Sequence, residues 1–423
     1  MKVVLTSQGS TGDIIPMIAL GRALIEAGHE TRFAASTLFQ NVIEDSGIPY
    51  VPVPPEWDTE NGKDAMRALC RTDDQLKQLK QIYTFGLPYL DDYLDTLEEI
   101  TKGADVLVST YLYPFLKSLA EKNDCQFAVA SFAHNVVPAY GIGPIPWLSF
   151  PWLPEPFGQS WRDLWWWISD LVVTRTLNSV YQHKLVERGL EPTKSFFREP
   201  APLALVTVSQ KLFAPDDGAV DPRFRYTGYW RYQTDPDPKQ AAELEAFCAG
   251  QEVPVLNFGS VSFDDSAELF TRFLRAWPQG KKLIVQSGWV GFKESDAASR
   301  PEVKVIGQAN HDLLFSHASV IIHHGGAGTT ASALHSGKPQ IIIPHIADQA
   351  FWAEQVKKLG SGLIGNRQNW PEALPLLVDG AEHDQQLRAK AEVLAKTLES
   401  EDGPATAVKI LEEFVEPRTT ANA

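Results

Sequence analysis

Residues His323 to Thr330 read His-His-Gly-Gly-Ala-Gly-Thr-Thr, a set of residue types suited to holding an anion. Glycine lets the backbone come close to a phosphate. The first amides of a following helix are unpaired donors, and the helix dipole favours negative charge there. The spacing is not the dinucleotide pattern GxGxxG. It is not a Walker loop either, because Thr329-Thr330 stands where the lysine would follow the glycines. Side-chain donors come instead from the two histidines. The expected guest is a phosphate ester, with a nucleotide diphosphate foremost.

Such a turn needs a strand before it and a helix after it. The apolar run Ala318 to Ile322 supplies the first and Ala331 to Ser336 the second. The same rhythm runs through the chain. Strands are expected at Lys2 to Thr6, Thr31 to Ala35, Tyr50 to Val53, Val106 to Ser109, Phe127 to Ala130 and Ala204 to Val208, with helical stretches between them. The first helix runs to about Ala27 and stops at Gly28. A second set follows the stretch Asp235-Pro236-Asp237-Pro238: Val253 to Phe258, Lys282 to Gln286, Val303 to Ile306, Val320 to Ile322 and Gln340 to Ile343. Strands alternating with helices predict an α/β protein with doubly wound parallel sheets. The expected division is a first domain over 1–215, a linker over 216–240 and a second domain over 241–400. A C-terminal helix and tail over 401–423 is free to pack on either lobe. Ligand is expected at the carboxyl ends of the strands, in the cleft between the two domains.

Composition narrows the function further. At 423 residues, with 44% hydrophobic and 22% charged residues, the chain suits a soluble enzyme of two or three domains. The net charge of −15 comes with no basic tail or stripe, which argues against nucleic-acid binding. Cys70, Cys125 and Cys248 show no CxxC spacing, so neither a disulfide framework nor a zinc site is expected. The chain opens directly on a strand and has no apolar run of membrane-spanning length. A cytoplasmic protein is therefore expected. One segment breaks the rhythm. From Asn123 to Trp161 there is no Lys or Arg, and six of the twelve tryptophans fall at 147, 152, 161, 165, 166 and 167. Trp165-Trp166-Trp167 cannot all face one side of a helix, so at least one is expected to be exposed, at a pocket, an interface or a membrane surface. Peripheral attachment to a membrane stays open on this ground.

The block from the glycine turn through Ser336-Gly337-Lys338-Pro339 to Asp348-Gln349 resembles the C-terminal signature of family-one glycosyltransferases (the UDP-glycosyltransferase superfamily), in the sterol glucosyltransferase and vancomycin-type branch. The resemblance implies the GT-B fold, two Rossmann-like domains facing a cleft. It assigns His324 to the donor diphosphate and Gly326, Ala327, Gly328 and Thr329 to the phosphate cradle. Gly12 is grouped with these donor-binding residues. Asp348 and Gln349 would hold hydroxyls of the donor sugar, and a carboxylate with a carboxamide does offer a polyol both acceptors and donors. Asp348 also suits the cap of a helix starting near Ala350. Gly259-Ser260 would meet phosphate at the end of the first donor-domain strand. Gln308 and Ala309 would lie against base and ribose, without the stacking tryptophan of plant members. His323 reads as a core histidine.

In the first lobe the resemblance makes Asp13 the base that deprotonates the acceptor hydroxyl. An ordinary carboxylate, with a pKa of about 3.9, is weak for this work unless an apolar setting raises it. Asp13 also fits the N-cap of the following helix, with Pro16 tolerated in its first turn. His134 is a second candidate base, with a structural role as its alternative. The aromatic region, with Trp147, Trp152 and Trp166, would build the acceptor site or simply pack. The implied reaction is a metal-independent, inverting transfer of a hexose, glucose foremost, from a UDP-sugar to a lipophilic alcohol: sterol-like, polyketide or glycolipid. The UDP-sugar is a co-substrate, and no cofactor is implied. The alternatives are a catalytically silent nucleotide-sugar-binding or partner-activating protein, and a GT-B nucleotide-sugar epimerase.

Overall fold

The computed structural model describes residues 1–56, 58–72, 74–138, 158–213 and 220–416; in the helix that opens at Gly158, side chains are described from Asp163 onward. Two parallel sheets carry the architecture. The first contains β1 (Lys2–Ser7), β2 (Glu30–Ala35), β3 (Tyr50–Pro52), β4 (Val106–Thr110), β5 (Gln126–Ser131), β6 (Leu203–Val206) and β7 (Phe224–Tyr226), in the order β3-β2-β1-β4-β5-β6-β7. The second contains β8 (Val253–Asn257), β9 (Leu283–Gln286), β10 (Val303–Ile306), β11 (Ala318–His323), β12 (Gln340–Ile342) and β13 (Gly362–Ile364), in the order β10-β9-β8-β11-β12-β13. Every neighbouring pair is parallel. Strands β7 and β13 were not expected from the sequence. The first, Phe-Arg-Tyr, has an exposed arginine at its centre and lies inside the stretch expected to link the domains, and the second, Gly-Leu-Ile, opens on a glycine, a residue poor in strands.

Helices cover both faces of these sheets, so the strands read as apolar runs rather than alternating patterns. Every residue of β4 and of β11 is buried. Each fully buried Leu, Ile or Val in such a run contributes roughly 1.5–3 kcal/mol.

In both sheets the strand order reverses once: between β1 and β4 in the first, and between β8 and β11 in the second. In a doubly wound sheet the loops at the carboxyl side of such a switch diverge to opposite faces, leaving a crevice where ligands bind. The loops after β1, β8 and β11 are therefore the positions that topology alone marks for function.

The chain forms two compact units. The first comprises Met1–Thr59, Asp74–Trp230 and Glu401–Ala423, and the second Glu60–Asp73 and Arg231–Ser400. In the first, the C-terminal helix Gly403–Val415 packs against the opening helix Thr11–Glu26. Gly403 has no room for a side chain there: a Cβ would stand 2.4 Å from the Tyr229 carbonyl oxygen. The Ser209 hydroxyl donates to Glu401 at 2.7 Å beside it. In the second unit, Met66 and Cys70 of the helix Thr59–Cys70 join a core with Phe258, Phe270, Trp277 and Trp370.

Candidate functional site

The turn after β11 is built around His324. A Cβ on Gly326 would lie 2.4 Å from its Nε2, and one on Gly259 would lie 2.8 Å from its Cε1. The imidazole thus sits between two stretches of backbone that must be bare, one after β11 and one after β8. It is 8% exposed, and its buried Nδ1 has no hydrogen-bond partner. Burial holds its pKa down to about 4, against an opposing pull from the Asn257 backbone, so the ring is neutral at pH 7. The helix Ala327–Ser336 follows, with Gly326 as an N-cap that has no side chain to offer. The Thr330 amide turns back to the Gly326 carbonyl at 2.9 Å. The amides of Ala327, Gly328 and Thr329 precede the first intrahelical bond and remain donors for a guest.

His323 is a different kind of residue. Its Nε2 donates to Gln340 Oε1 at 2.9 Å and its Nδ1 accepts the Gly325 amide at 3.2 Å, so both nitrogens are occupied within the core.

A third carrier of this site is Asn257, the last residue of β8, to which the sequence reading gave no role. Its Oδ1 accepts the Gly259 amide at 2.7 Å and fixes the Gly259-Ser260 turn. Its Nδ2 donates to His311 Nε2 at 3.0 Å, and His311 Nδ1 reaches Ser332 Oγ at 3.4 Å. That chain ties the turn to the Ala327–Ser336 helix across the switch point. His311 stacks on Phe315 and is also held neutral by burial, with a pKa of about 4. Ser260 is half-exposed beside this network. The local signal for Asn257 was an asparagine two residues before glycine at a strand end, the pattern of an Asx turn.

Beyond β12, Gln349 is buried and its Oε1 accepts two amides of its own loop, from His345 at 2.8 Å and Ile346 at 3.0 Å. Its carboxamide orientation is thereby fixed, leaving the NH₂ group to donate. Asp348 stands at the N-cap position of the helix Gln349–Lys358 but makes no side-chain cap bond. Its Oδ2 accepts the Trp352 indole N–H at 2.9 Å instead. Asp348 and Gln349 thus present an acceptor beside a donor. Gln308 and Ala309 lie after β10, at the sheet edge. The Gln308 carbonyl accepts from Gln240 at 3.0 Å, its side chain is exposed, and Ala309 packs on the core beneath.

In the first unit the loop after β1 ends in a capping box. Ser10 is the N-cap, and Asp13 is the third residue of the helix, with its Oδ2 accepting the Ser10 amide at 2.8 Å and the Ser10 hydroxyl at 3.3 Å. This corrects the N-cap alternative for Asp13. It also moves Pro16 from the first turn to the helix interior, where its missing N–H leaves the Gly12 carbonyl without its usual donor. A Cβ on Gly9 would stand 2.2 Å from Asp13 Oδ2. Burial raises the Asp13 pKa above 3.8, and the two Ser10 bonds oppose the rise. Tyr113, after β4, donates to the Gln8 carbonyl at 2.8 Å and so joins the two loops of the switch point.

His134 is 1% exposed and packs on Phe213 at 5.1 Å, with burial lowering its pKa to about 4. Those properties fit its structural alternative. Trp166, placed with the acceptor residues from sequence, is a 4% exposed core residue packed edge-on against Phe197. The exposed member of the triplet is Trp167, at 49%. Trp147 and Trp152 lie outside the described residues. Among the described residues, no group of three or more His, Cys, Asp or Glu side chains could hold a metal ion, and no helix is long and apolar enough to cross a membrane.

Two family models match parts of the chain. Residues 3–92 match the glycosyltransferase family 28 N-terminal domain, and residues 293–414 match the C-terminal domain of erythromycin biosynthesis protein CIII-like proteins. The chain is 26% identical to O-mycaminosyltylonolide 6-deoxyallosyltransferase of Streptomyces fradiae, across 100% of this chain and 99% of that one. It is 29% identical to glycosyltransferase GtfE of Amycolatopsis orientalis, across 97% of both. It is 25% identical to the sterol 3-beta-glucosyltransferase of Emericella nidulans, with 99% of the chain matching 30% of that longer protein. Among solved structures, the calicheamicin glycosyltransferase CalG4 superposes with a TM-score of 0.69 at 19% identity, covering 100% of both chains. SsfS6 of Streptomyces sp. SF2575, complexed with thymidine diphosphate, gives 0.61 at 17% identity, over 98% of this chain and 99% of that one. The chain is a glycosyltransferase of the GT-B fold, with a family 28 N-terminal domain and an EryCIII-like C-terminal domain.

Proposed function

We propose that the protein transfers a hexose, glucose foremost, from a UDP-sugar to the hydroxyl of a lipophilic acceptor, with inversion at the anomeric carbon. The observation that carries this reading is the switch point of the second sheet. There His324, the Gly259-Ser260 turn and three open helix amides converge, a donor-rich setting for a leaving diphosphate. In the reaction Asp13 takes the proton of the acceptor hydroxyl, whose oxygen attacks the anomeric carbon. The bond from that carbon to the β-phosphate oxygen breaks, and the charge passes to the diphosphate. The raised pKa of Asp13 suits a base, and its Ser10 bonds fall on Oδ2, which leaves Oδ1 for the proton. The opposed polarity of Asp348 and Gln349 suits neighbouring hydroxyls of a hexose, one donating and one accepting.

A sterol-like, polyketide or glycolipid alcohol is the acceptor class; among the relatives, one is named for a sterol and another for O-mycaminosyltylonolide. Uridine is favoured by the resemblance, while the thymidine diphosphate in SsfS6 makes the thymidine donor the necessary comparison. The experiment is to incubate the protein with UDP-glucose or TDP-glucose and a panel of apolar alcohols, and to look for a glycoside by mass spectrometry. A glycoside bears the proposal out. Tight donor binding without turnover would select the silent protein, and an isomerised sugar nucleotide without glycoside the epimerase.

A further inference from the structure

The helix Thr59–Cys70 lies in the first half of the chain yet from Glu60 onward is part of the second unit, and it touches the loops that carry the donor residues. Gly62 meets Trp289: a Cβ there would stand 2.9 Å from the indole. The Trp289 amide in turn donates to the Gly259 carbonyl at 2.9 Å. At the other end of the segment, Arg71 forks onto both oxygens of Asp264 at 2.9 and 3.1 Å, four residues beyond Ser260. Between them Met66 and Cys70 enter the core beside Phe258, Val261 and Val290.

A second line of contact runs to the sugar loop. Arg367, after β13, donates from Nη2 to the Cys70 carbonyl and from Nη1 to the His345 carbonyl at 3.2 Å. The amide of the same His345 donates to Gln349 Oε1. One guanidinium therefore connects the end of the segment to the residue whose peptide fixes the Gln349 carboxamide. The planar fork of arginine can satisfy two carbonyls at set positions, which a lysine cannot reproduce.

We propose that the segment Glu60–Arg71 is a positioning element of the donor site, and that Arg367 is the positioning residue through which it sets the His345–Gln349 loop and hence sugar recognition. This rests on the reading of Asp348 and Gln349 as sugar-binding residues. Gly62 reaches, through Trp289, the Gly259-Ser260 turn beside His324, whereas Arg367 reaches the His345–Gln349 loop, so disturbing each in turn separates nucleotide from sugar recognition.

The test uses the full chain with Arg367→Met, which keeps the apolar stem, Arg367→Lys, and Gly62→Ala as an independent disturbance of the same segment. Affinities for UDP and for UDP-glucose are measured by calorimetry, and hydrogen exchange is followed in peptides covering 343–349. For Arg367→Met, UDP affinity should stay within twofold while the extra affinity that glucose confers falls about tenfold, the scale of one oriented hydrogen bond. Exchange at 343–349 should accelerate. Arg367→Lys should recover part of the loss, and Gly62→Ala, acting through Trp289 on the Gly259-Ser260 turn, should weaken UDP and UDP-glucose alike. Equal loss of UDP and UDP-glucose in Arg367→Met, unchanged selectivity and exchange in that variant, or unchanged affinities in Gly62→Ala overturns the proposal. A wild-type chain that binds UDP but gains nothing from glucose overturns the sugar reading and this inference with it.

Discussion

Asp13 meets two demands with one carboxyl group: it closes the capping box of the first helix and, as proposed, takes a proton. Asparagine retains a carbonyl oxygen for the Ser10 amide but removes the charge, so Asp13→Asn isolates the second demand. Transfer should fall by 10²–10⁴, the usual weight of a general base, with donor affinity nearly intact. Activity within tenfold of wild type would remove Asp13 from the base role. Because burial raises its pKa, the acid limb of kcat/KM should lie above the ordinary value of 3.8. His324→Ala should weaken UDP binding by roughly 10- to 100-fold, as loss of a hydrogen bond to a charged partner does, and calorimetry showing unchanged affinity would sink that assignment. Both residues were visible in the sequence because each follows a strand and belongs to a glycine-bearing turn. Asn257 and His311 were not, because their roles arise from a contact between residues 54 positions apart. No local pattern encodes such a pairing.

At the scale of elements, the long strands and the helix after the glycine turn were legible because parallel strands buried on both faces leave dense apolar runs. The helix Gly158–Glu187 was only half legible. Its tryptophans announced an exposed apolar residue but not which one. Leu164 is 43% and Trp167 49% exposed, and Trp167 lines a groove of about 300 Å³ with Arg175, Lys194 and Arg198 and with the carboxylates of Asp170 and Glu199. An exposed tryptophan beside a small surplus of cations suits an anionic lipid surface. If peripheral attachment uses this face, the protein should sediment with vesicles containing an anionic lipid and not with neutral ones, and Trp167→Ala with Arg175→Glu should abolish the effect. Equal recovery of the variant and the wild type on anionic vesicles would remove this face from consideration.

Across the whole molecule, buried neutral histidines are unevenly shared. His311, His323, His324 and His345 lie in the second unit with pKa values lowered by burial to between about 3 and 4, against His134 in the first. In the unfolded chain each would titrate near 6.5. Between that value and about 4 the unfolded state binds more protons than the native one, so the stability they contribute is present above pH 6.5 and is lost as pH falls through this window. The second unit should lose thermal stability earlier on acidification, with unfolding midpoints compared at pH 7, 6 and 5. A midpoint that does not move over that range would contradict the burial of these rings.

The seating of Cys70 has a further use. The thiol is buried, with its pKa pushed up to about 11, at the end of the segment that braces the donor loops. A buried thiol reacts with an alkylating reagent only when its cover opens. Nature has thus placed a chemical clock at the seam: the labelling rate of Cys70, set against that of Cys125 in the first unit, times how often the segment lets go. A donor sugar that tightens the seam should slow that clock without touching the other.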